Sequence, residues 1–321
     1  MRDRLTAVIA TPAPRGTTLG NRITALRWAK RLRELSWRVQ LAATWTDEPC
    51  DLLVALHAHK SHDAIARHAQ AHPGAPRVLA LTGTDLYAEQ LEARAARESL
   101  ALATRFIVLQ PLAVQQLPEH VRDRACVIRQ SAATPPAAPS QPGFTACALA
   151  HLRDVKDPLL AARAAGLLPD DTRLRIVHLG AAPDDDWATR ARDAERESRG
   201  RWVWLGPRRR VDALRVLGGS RLLVLTSTSE GGANVVTEAI AAGVPVLSTR
   251  IAGSLGILGD SYPGYFDVGD AAGLASLLER CERDPSFLDE LRARITALRP
   301  LVDPARERAS WRDLLRGLGF A

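Results

Sequence analysis

Lysine and aromatic residues are scarce in this chain of 321 residues. Of its 43 basic residues only three are lysines, namely Lys30, Lys60 and Lys156, and the other 40 are arginines. The arginines are scattered among acids with few aromatic neighbours, whereas nucleic-acid-binding surfaces combine clustered basic residues with stacking aromatics. The sequence therefore predicts no nucleic acid partner. The net charge of +7 suits small anionic substrates, which a basic protein attracts electrostatically.

Long apolar runs are also absent. Arg, Asp or Pro interrupts each apolar stretch before it reaches the length of a membrane span, so stable membrane insertion is not expected. The strand-like run from Ala7 to Ala10 is too short for the core of a signal peptide, which predicts a cytoplasmic protein. An amphipathic stretch from Ala25 to Arg38 could touch a membrane surface, but an ordinary packed helix is the preferred interpretation.

Neither cysteines nor histidines are spaced like metal ligands. The four cysteines stand far apart, which favours free buried thiols in a reducing compartment. They are Cys50, Cys126, Cys147 and Cys281. The histidine-rich run from His57 to His62 has no cysteine nearby and no acid at a convincing ligand spacing. We therefore expect no metal and no cofactor, and we interpret the run as a polar cleft edge with His57, His59 or Lys60 facing substrate.

Strand-like and helix-like segments alternate through both halves of the chain. Eleven segments read as strands: Leu5 to Ala10, Arg38 to Ala43, Asp51 to Leu56, Arg77 to Leu81, Arg105 to Leu109, Ala125 to Ile128, Phe144 to Ala150, Leu174 to Leu179, Arg201 to Leu205, Arg221 to Leu225 and Val244 to Leu247. Helical runs such as Ile23 to Leu35 and Ala88 to Ala103 lie between several of them. This alternation predicts an α/β fold of two Rossmann-like domains, each a doubly wound parallel sheet, facing a cleft.

A proline- and alanine-rich segment, residues 131–143, has the composition of a linker between these domains. The predicted domains are residues 1–140 and residues 141–302. A last helix, Pro304 to Leu318, is predicted within residues 303–321.

Two glutamates flank a glycine pair where a strand passes into a helix. Glu230 precedes the glycines and Glu238 follows them, between the strand ending at Leu225 and the next strand beginning at Val244. Backbone N–H groups and the positive end of a helix dipole suit an anion such as a diphosphate at this position. Because carboxylates repel phosphate, we expect both to point at neutral sugar hydroxyls. A solvated helix face with a glycine-rich turn is the alternative.

This segment resembles the donor-binding signature of the family-4 retaining glycosyltransferases, which have the GT-B fold. The resemblance implies that Glu230 contacts the transferred sugar, that Glu238 holds the ribose of the nucleotide, and that loop amides hold the diphosphate. The loop residues are Gly231, Gly232, Ala233 and Asn234. The resemblance also implies catalysis without a bound metal and a terminal helix, residues 303–321, that packs back on the first domain.

A second motif, from Leu149 to Pro158, resembles the place where the family uses an arginine and a lysine on the leaving diphosphate. Lys156 falls on the family's lysine. His151 stands at the arginine position and Arg153 two residues further on, so which of them serves stays open. A cation here lowers the barrier because it stabilises the departing diphosphate more in the transition state. The alternative for Lys156 is an exposed charge near a helix start.

The loop after the first predicted strand contains candidates for substrate binding. Gly16 would allow close approach to the donor or acceptor, and Arg15 and Arg22 could bind an anionic acceptor. A simple connecting turn is an equal alternative.

The loop after the fourth predicted strand has Thr82 where many family members have a histidine, followed by Thr84 and Asp85. We expect these three residues, together with Asn21, to bind the acceptor. A general base is required for a neutral hydroxyl acceptor and is superfluous for an acceptor that is already anionic. The loss of the histidine therefore favours an anionic nucleophile.

Four motifs together resemble one branch of the family, the selenosugar synthases of selenoneine biosynthesis. They are Gly-Asn-Arg at Asn21, His-Ala-His-Lys-Ser at Lys60, Thr-Gly-Thr-Asp-Leu-Tyr at Thr82 and Leu-Arg-Asp-Val-Lys-Asp-Pro at Lys156. That resemblance implies a UDP-sugar such as UDP-N-acetylglucosamine as donor, selenophosphate as acceptor, and a functional link to a selenophosphate-producing enzyme. A family-4 enzyme with a hydroxyl acceptor and a sugar-nucleotide sensor without turnover are the alternatives. Lys156, Glu230 and Glu238 argue against the sensor, because binding alone needs no leaving-group stabilisation.

Overall fold

The structure, a computed structural model, describes residues 4–86, 91–135, 139–141 and 143–320. It is an α/β fold with two six-stranded parallel sheets and flanking helices, as predicted. The described residues form two compact units. The first takes those of Met1–Ser131, Gly231–Ala233 and Asp303–Ala321, and the second takes those of Ala132–Glu230 and Asn234–Val302.

The described strands are β1 Thr6–Ala10, β2 Arg38–Ala42, β3 Leu52–Leu56, β4 Arg77–Leu81, β5 Arg105–Val108, β6 Ala125–Val127, β7 Phe144–Leu149, β8 Leu174–Leu179, β9 Trp202–Trp204, β10 Leu222–Leu225, β11 Val246–Thr249 and β12 Tyr265–Phe266. The described α-helices are α1 Gly20–Glu34, α2 His62–Ala71, α3 Arg94–Leu102, α4 Ala113–Gln116, α5 Pro158–Gly166, α6 Asp185–Glu197, α7 Arg210–Gly219, α8 Asn234–Ala242, α9 Ala252–Leu258, α10 Ala271–Arg283, α11 Pro285–Leu298 and α12 Pro304–Gly317. Short 3-10 helices cover Thr84–Leu86, Glu119–Arg124, Asp154–Lys156 and Arg299–Val302.

The order of strands reverses once in each sheet. The first sheet has the order β2-β1-β3-β4-β5-β6, and the second has the order β12-β11-β10-β7-β8-β9. The reversal therefore falls between β1 and β3 in the first sheet and between β7 and β10 in the second. At such a point the two neighbouring strands lead into loops that diverge, which opens a crevice at the carboxyl edge of the sheet where ligands bind in open α/β folds.

The strands expected from the sequence are confirmed, each to within two residues at either end. β12 was not predicted, because its two residues are too few to show a periodic pattern. α1 begins at Gly20 rather than at Ile23, since its first turn is polar and outside the apolar repeat. The predicted helical run from Ala88 lies partly outside the described residues, and α3 accounts for Arg94–Leu102 of it.

All four cysteines are free thiols, as predicted, although two of them are only half-buried. Burial raises the pKa of the Cys50 and Cys126 thiols to about 11 and that of Cys147 and Cys281 to about 12. Burial therefore keeps these thiols protonated at neutral pH. Within the described ranges, no helix is both long enough and apolar enough to span a membrane.

Candidate functional site

Lys156 and Glu230 form an ion pair at the carboxyl edge of the second sheet. Lys156 closes the 3-10 helix that follows β7, and Glu230 lies in the loop that follows β10. Because β7 and β10 are neighbours at the reversal of strand order, these two loops meet. Thr226 Oγ1 also donates a hydrogen bond to the Lys156 carbonyl at 2.7 Å, which ties the two loops together. Two of the residues predicted to be catalytic are thus in direct contact.

The Glu230 side chain is held from several sides. Ser227 Oγ donates to Glu230 Oε1 at 2.8 Å, and Thr249 Oγ1 in turn donates to the Ser227 carbonyl at 2.6 Å. Gly253 on α9 lies against the Glu230 backbone, where a Cβ would collide with the carbonyl oxygen. A carboxylate fixed in this way can accept hydrogen bonds from a ligand without first losing rotamer entropy.

His151 and Arg153 differ in charge and exposure. His151 Nδ1 accepts the Ala181 N–H at 3.1 Å, so the neutral ring carries its proton on Nε2. Burial, with Arg153 and Lys156 nearby, lowers the pKa of His151, which keeps the ring uncharged at neutral pH. Arg153 is exposed and permanently cationic. Of the two candidates left open by the sequence, Arg153 offers a full positive charge and His151 an N–H donor.

Glu238 pairs with Arg210, a residue that the sequence analysis missed. Glu238 is buried on α8, and Arg210 is the first residue of α7. In the sequence, Arg210 ends the run Pro207-Arg208-Arg209-Arg210, and such a run alone indicates only a solvated charged segment. Since 28 residues separate the two partners, no local pattern connects them.

The glycine-rich loop leads into a helix, as predicted, and this helix, α8, begins at Asn234. Gly231, Gly232 and Ala233 are buried. Because α8 follows β10, its N-terminus lies at the carboxyl end of that strand, and a helix N-terminus offers free N–H groups to an anion. That these amides hold a diphosphate stays a prediction.

Thr82 and Asn21 are joined by a hydrogen bond in the first unit. Thr82, which follows β4, donates from Oγ1 to Asn21 Oδ1 in the first turn of α1 at 2.7 Å. The proton of the Thr82 hydroxyl is therefore committed to Asn21. A hydroxyl also has no basicity at neutral pH, so Thr82 does not replace the histidine as a general base.

Asp85 and His57 form a second polar pair in this unit. Asp85 is fully buried and accepts the N–H groups of Ala58 and Gly83, each at 2.9 Å. His57 Nδ1 lies 3.9 Å from Asp85 Oδ2 and accepts the Lys60 N–H at 3.3 Å. Burial lowers the pKa of His57, although Asp85 opposes the shift. These contacts favour a structural function in shaping the two loops, and contact of either side chain with an acceptor stays a prediction.

The other acceptor candidates lie on the loops after β1, β3 and β4. Arg15 and Gly16 are exposed, and Gly16 has a φ of +85°, in the left-handed region that favours glycine. Arg22 is half-buried on α1, and Lys60 is exposed. Thr84 begins a 3-10 helix, but its side chain lies outside the described part of the structure. Among the residues that are described, no three His, Cys, Asp or Glu side chains cluster as a metal site.

Solved structures with a similar fold include a protein bound to UDP and glucose and two sugar-phosphate synthases. HepE from Anabaena, solved in complex with UDP and glucose, has a TM-score of 0.79 and 16% identity over 98% of this chain and 100% of HepE. Sucrose-phosphate synthase from Thermosynechococcus elongatus has a TM-score of 0.80 and 15% identity over 99% of each chain. A UDP-forming trehalose-phosphate synthase from Burkholderia xenovorans has a TM-score of 0.68 and 13% identity over 94% of this chain and 78% of that one. The TM-scores establish a shared fold, which is GT-B, and identities this low establish nothing beyond the fold.

The match to a family model is more specific than the likeness in fold. Residues 136–297, about half of the chain, match the model of the glycosyl transferases group 1. No curated protein matches the sequence significantly. The matched range contains the ion pair of Lys156 and Glu230 at the carboxyl edge of the second sheet. It also contains Glu238 on α8. The chain therefore belongs to the group 1 glycosyl transferases.

Proposed function

We propose that this protein is a UDP-sugar-dependent glycosyltransferase of the selenosugar synthase type, known as SenB, which joins selenophosphate to a sugar. The observation that carries the proposal is the Lys156–Glu230 pair in the part of the chain that matches the family model. It supplies a cation for a leaving diphosphate and a carboxylate for sugar hydroxyls. In this proposal, residues 1–140 bind the acceptor, residues 141–302 bind the donor, and residues 303–321 pack on the first domain.

A UDP-sugar as donor is supported by two proteins of similar fold. HepE was solved with UDP and glucose, and the trehalose-phosphate synthase is described as UDP-forming. In the proposal, Glu238 accepts hydrogen bonds from the ribose, and the amides of residues 231–234 bind the diphosphate. Glu230 accepts hydrogen bonds from the sugar.

Selenophosphate as acceptor is supported by the side chains of the first unit. Thr82 follows β4 in place of a histidine, and its hydroxyl proton is committed to Asn21. An anionic nucleophile needs no base to remove a proton, so this site suits it. Arg15, Arg22 and Lys60 on the loops and helix that follow β1 and β3 supply positive charge for a phosphate-bearing acceptor.

The proposed reaction is a substitution at the anomeric carbon. The selenium of selenophosphate donates an electron pair to that carbon, and the bond from the carbon to the UDP oxygen breaks. Its electron pair leaves with UDP, whose new negative charge Lys156 and Arg153 stabilise, with an N–H from His151. Water then cleaves the phosphorus–selenium bond, which releases phosphate and leaves a sugar selenol.

Direct detection of the product tests the whole proposal. Incubation with UDP-N-acetylglucosamine or UDP-glucose and enzymatically generated selenophosphate is expected to yield UDP and a compound with the selenium isotope pattern in mass spectrometry. Reactions that lack either substrate serve as controls. If a hydroxyl acceptor supports turnover and no selenium product forms, the selenosugar assignment is wrong. Binding of UDP-sugars with no turnover on any acceptor would indicate a sensor.

Replacing Glu238 with alanine is expected to raise the donor KM more than it lowers kcat. The reason is that a ribose contact is made equally in the ground state and the transition state, and loss of a charged hydrogen bond costs about 1.5–3 kcal/mol. Steady-state kinetics with varied UDP-sugar measures this. Glu290→Ala, which removes an exposed glutamate from α11, is the matched control. An unchanged donor KM in folded Glu238→Ala would remove Glu238 from the donor site.

A further inference from the structure

The pairing of Glu238 with Arg210 joins two helices that follow different strands of the second sheet. Arg210 Nη2 contacts Glu238 Oε1. α7 follows β9 and α8 follows β10, so both helices begin at the carboxyl edge of this parallel sheet. The Glu238 side chain is 8% exposed and the Arg210 side chain 42% exposed. A nearly buried carboxylate therefore meets a cation that reaches it from the solvent side.

The Arg210–Glu238 pair also affects the charge balance beside the expected donor. Glu230 and Glu238 are both expected beside the diphosphate of the donor, and like charges at such short range repel one another. Each of the two carboxylates contacts a cation, since Lys156 pairs with Glu230 and Arg210 pairs with Glu238. The negative charge of both glutamates is thus compensated by the protein itself.

The geometry of the arginine suits it to orient the carboxylate as well. A guanidinium is planar and permanently charged, and it holds a carboxylate oxygen in a fixed direction. Each carboxylate oxygen has two lone pairs, so an oxygen that accepts from Arg210 can still accept from a hydroxyl. Without Arg210, the nearly buried Glu238 carboxylate would lose a compensating cation and a contact that fixes its direction.

We propose that Arg210 is a positioning residue for the donor, which acts through Glu238. It aims the Glu238 carboxylate at the ribose hydroxyls and cancels its charge, so that the same site accepts a nucleoside diphosphate. The inference rests on the proposed function, because it takes Glu238 to be a ribose ligand. The group 1 family model and the fold do not by themselves assign any role to Arg210.

Kinetics with the varied donor test this inference. Arg210→Ala is expected to raise the donor KM on the order of tenfold, while kcat changes by less than about twofold, because the lost contact is equal in ground and transition states. The Kd for UDP, measured by calorimetry, is expected to rise in parallel. Arg210→Lys keeps the charge without the planar fork and is expected to recover only part of the loss. Arg209→Ala is the matched control, since Arg209 is the neighbouring arginine and pairs with Asp212 instead.

A double variant separates action through Glu238 from an independent action of Arg210. If Arg210 acts through Glu238, adding Arg210→Ala to Glu238→Ala changes the donor KM by less than about twofold, whereas independent sites would add their effects. Additive effects overturn the inference. The inference is also overturned if the donor KM of Arg210→Ala equals that of Arg209→Ala. A fall in kcat with an unchanged donor KM overturns it too, because that result indicates a loss of folded enzyme.

The wild-type protein distinguishes failure of this inference from failure of the proposed function. If wild type binds UDP and Glu238→Ala weakens that binding, the donor site stands and the Arg210 variants decide the inference alone. If wild type binds no UDP, the proposed function and the inference fall together.

Discussion

Replacing Lys156 with alanine is expected to lower kcat on the order of 10²- to 10³-fold, as for other groups that stabilise developing charge. Lys156 lies at the meeting of the β7 and β10 loops, and its ammonium group contacts Glu230. In the proposed reaction the UDP oxygen gains charge only as the bond to the sugar breaks. A cation at that position therefore contributes more to the transition state than to donor binding.

The separation of kcat from binding is the decisive measurement for Lys156. The Kd for UDP is expected to change less than kcat, because the proposal assigns the ribose to Glu238 and not to Lys156. Lys30→Ala removes an exposed lysine from α1 and is the matched control. Near-normal turnover in Lys156→Ala would move the role to Arg153, since His151 is uncharged at neutral pH.

Stability must be measured beside activity in this variant. The Lys156 side chain is 28% exposed and that of Glu230 is 11% exposed, so alanine removes the Lys156 cation from a nearly buried carboxylate. Ser227 continues to donate a hydrogen bond to Glu230, which limits the loss. The double variant Lys156→Ala with Glu230→Gln also removes the negative charge of Glu230, so it shows whether that charge causes the loss of stability. If the single variant loses activity only because it unfolds, the thermal midpoint falls with kcat.

The sequence predicts most of the fold because local periodicity sets the elements. A buried strand such as β10 is a short apolar run between turn residues, and α8 repeats its apolar residues at helical spacing. Parallel strands alternating with helices leave few possible architectures. β12 escapes prediction since two residues carry no periodic signal.

The pairings inside the site are less accessible to sequence reasoning. Lys156 and Glu230 can each be placed after a strand, but their contact depends on β7 lying beside β10, which long-range packing decides. Arg210 looks like one member of an exposed arginine run until α7 is placed near α8. Asp85 is expected to bind the acceptor because it stands in the loop where many family members have a histidine, yet both of its oxygens accept backbone N–H groups.

Replacing Glu307 with alanine is expected to destabilise the first unit by about 3–5 kcal/mol, the usual cost of stranding a buried charge. The Glu307 carboxylate on α12 is fully buried. It accepts from Arg27 Nε at 2.9 Å, from Trp28 Nε1 at 3.0 Å and from Ser131 Oγ at 2.5 Å. Arg31 Nε lies 3.9 Å away.

The size of this effect follows from what alanine leaves behind. The Arg27 side chain is 12% exposed, so water cannot fully replace the lost carboxylate around it, whereas Arg31 keeps its ion pair with Glu34 at 2.9 Å. Trp28 would also lose its hydrogen-bond acceptor, although it keeps its edge-on contact with Trp311 on α12. Glu307→Gln retains an oxygen that can accept from Trp28 or Ser131, so its loss of stability is expected to be smaller.

Urea unfolding followed by circular dichroism measures the loss, and trypsin locates it. α12 carries Arg306, Arg308 and Arg312, so loosening of this helix exposes cleavage sites near the carboxyl end of the chain before the second unit unfolds. Glu290→Ala on α11 is the control, because it removes an exposed glutamate whose arginine partner, Arg294, is also exposed to solvent. A change in unfolding free energy below about 1 kcal/mol for Glu307→Ala would mean that the arginines find other acceptors, and that apolar contacts such as Trp28 with Trp311 hold α12 in the first unit.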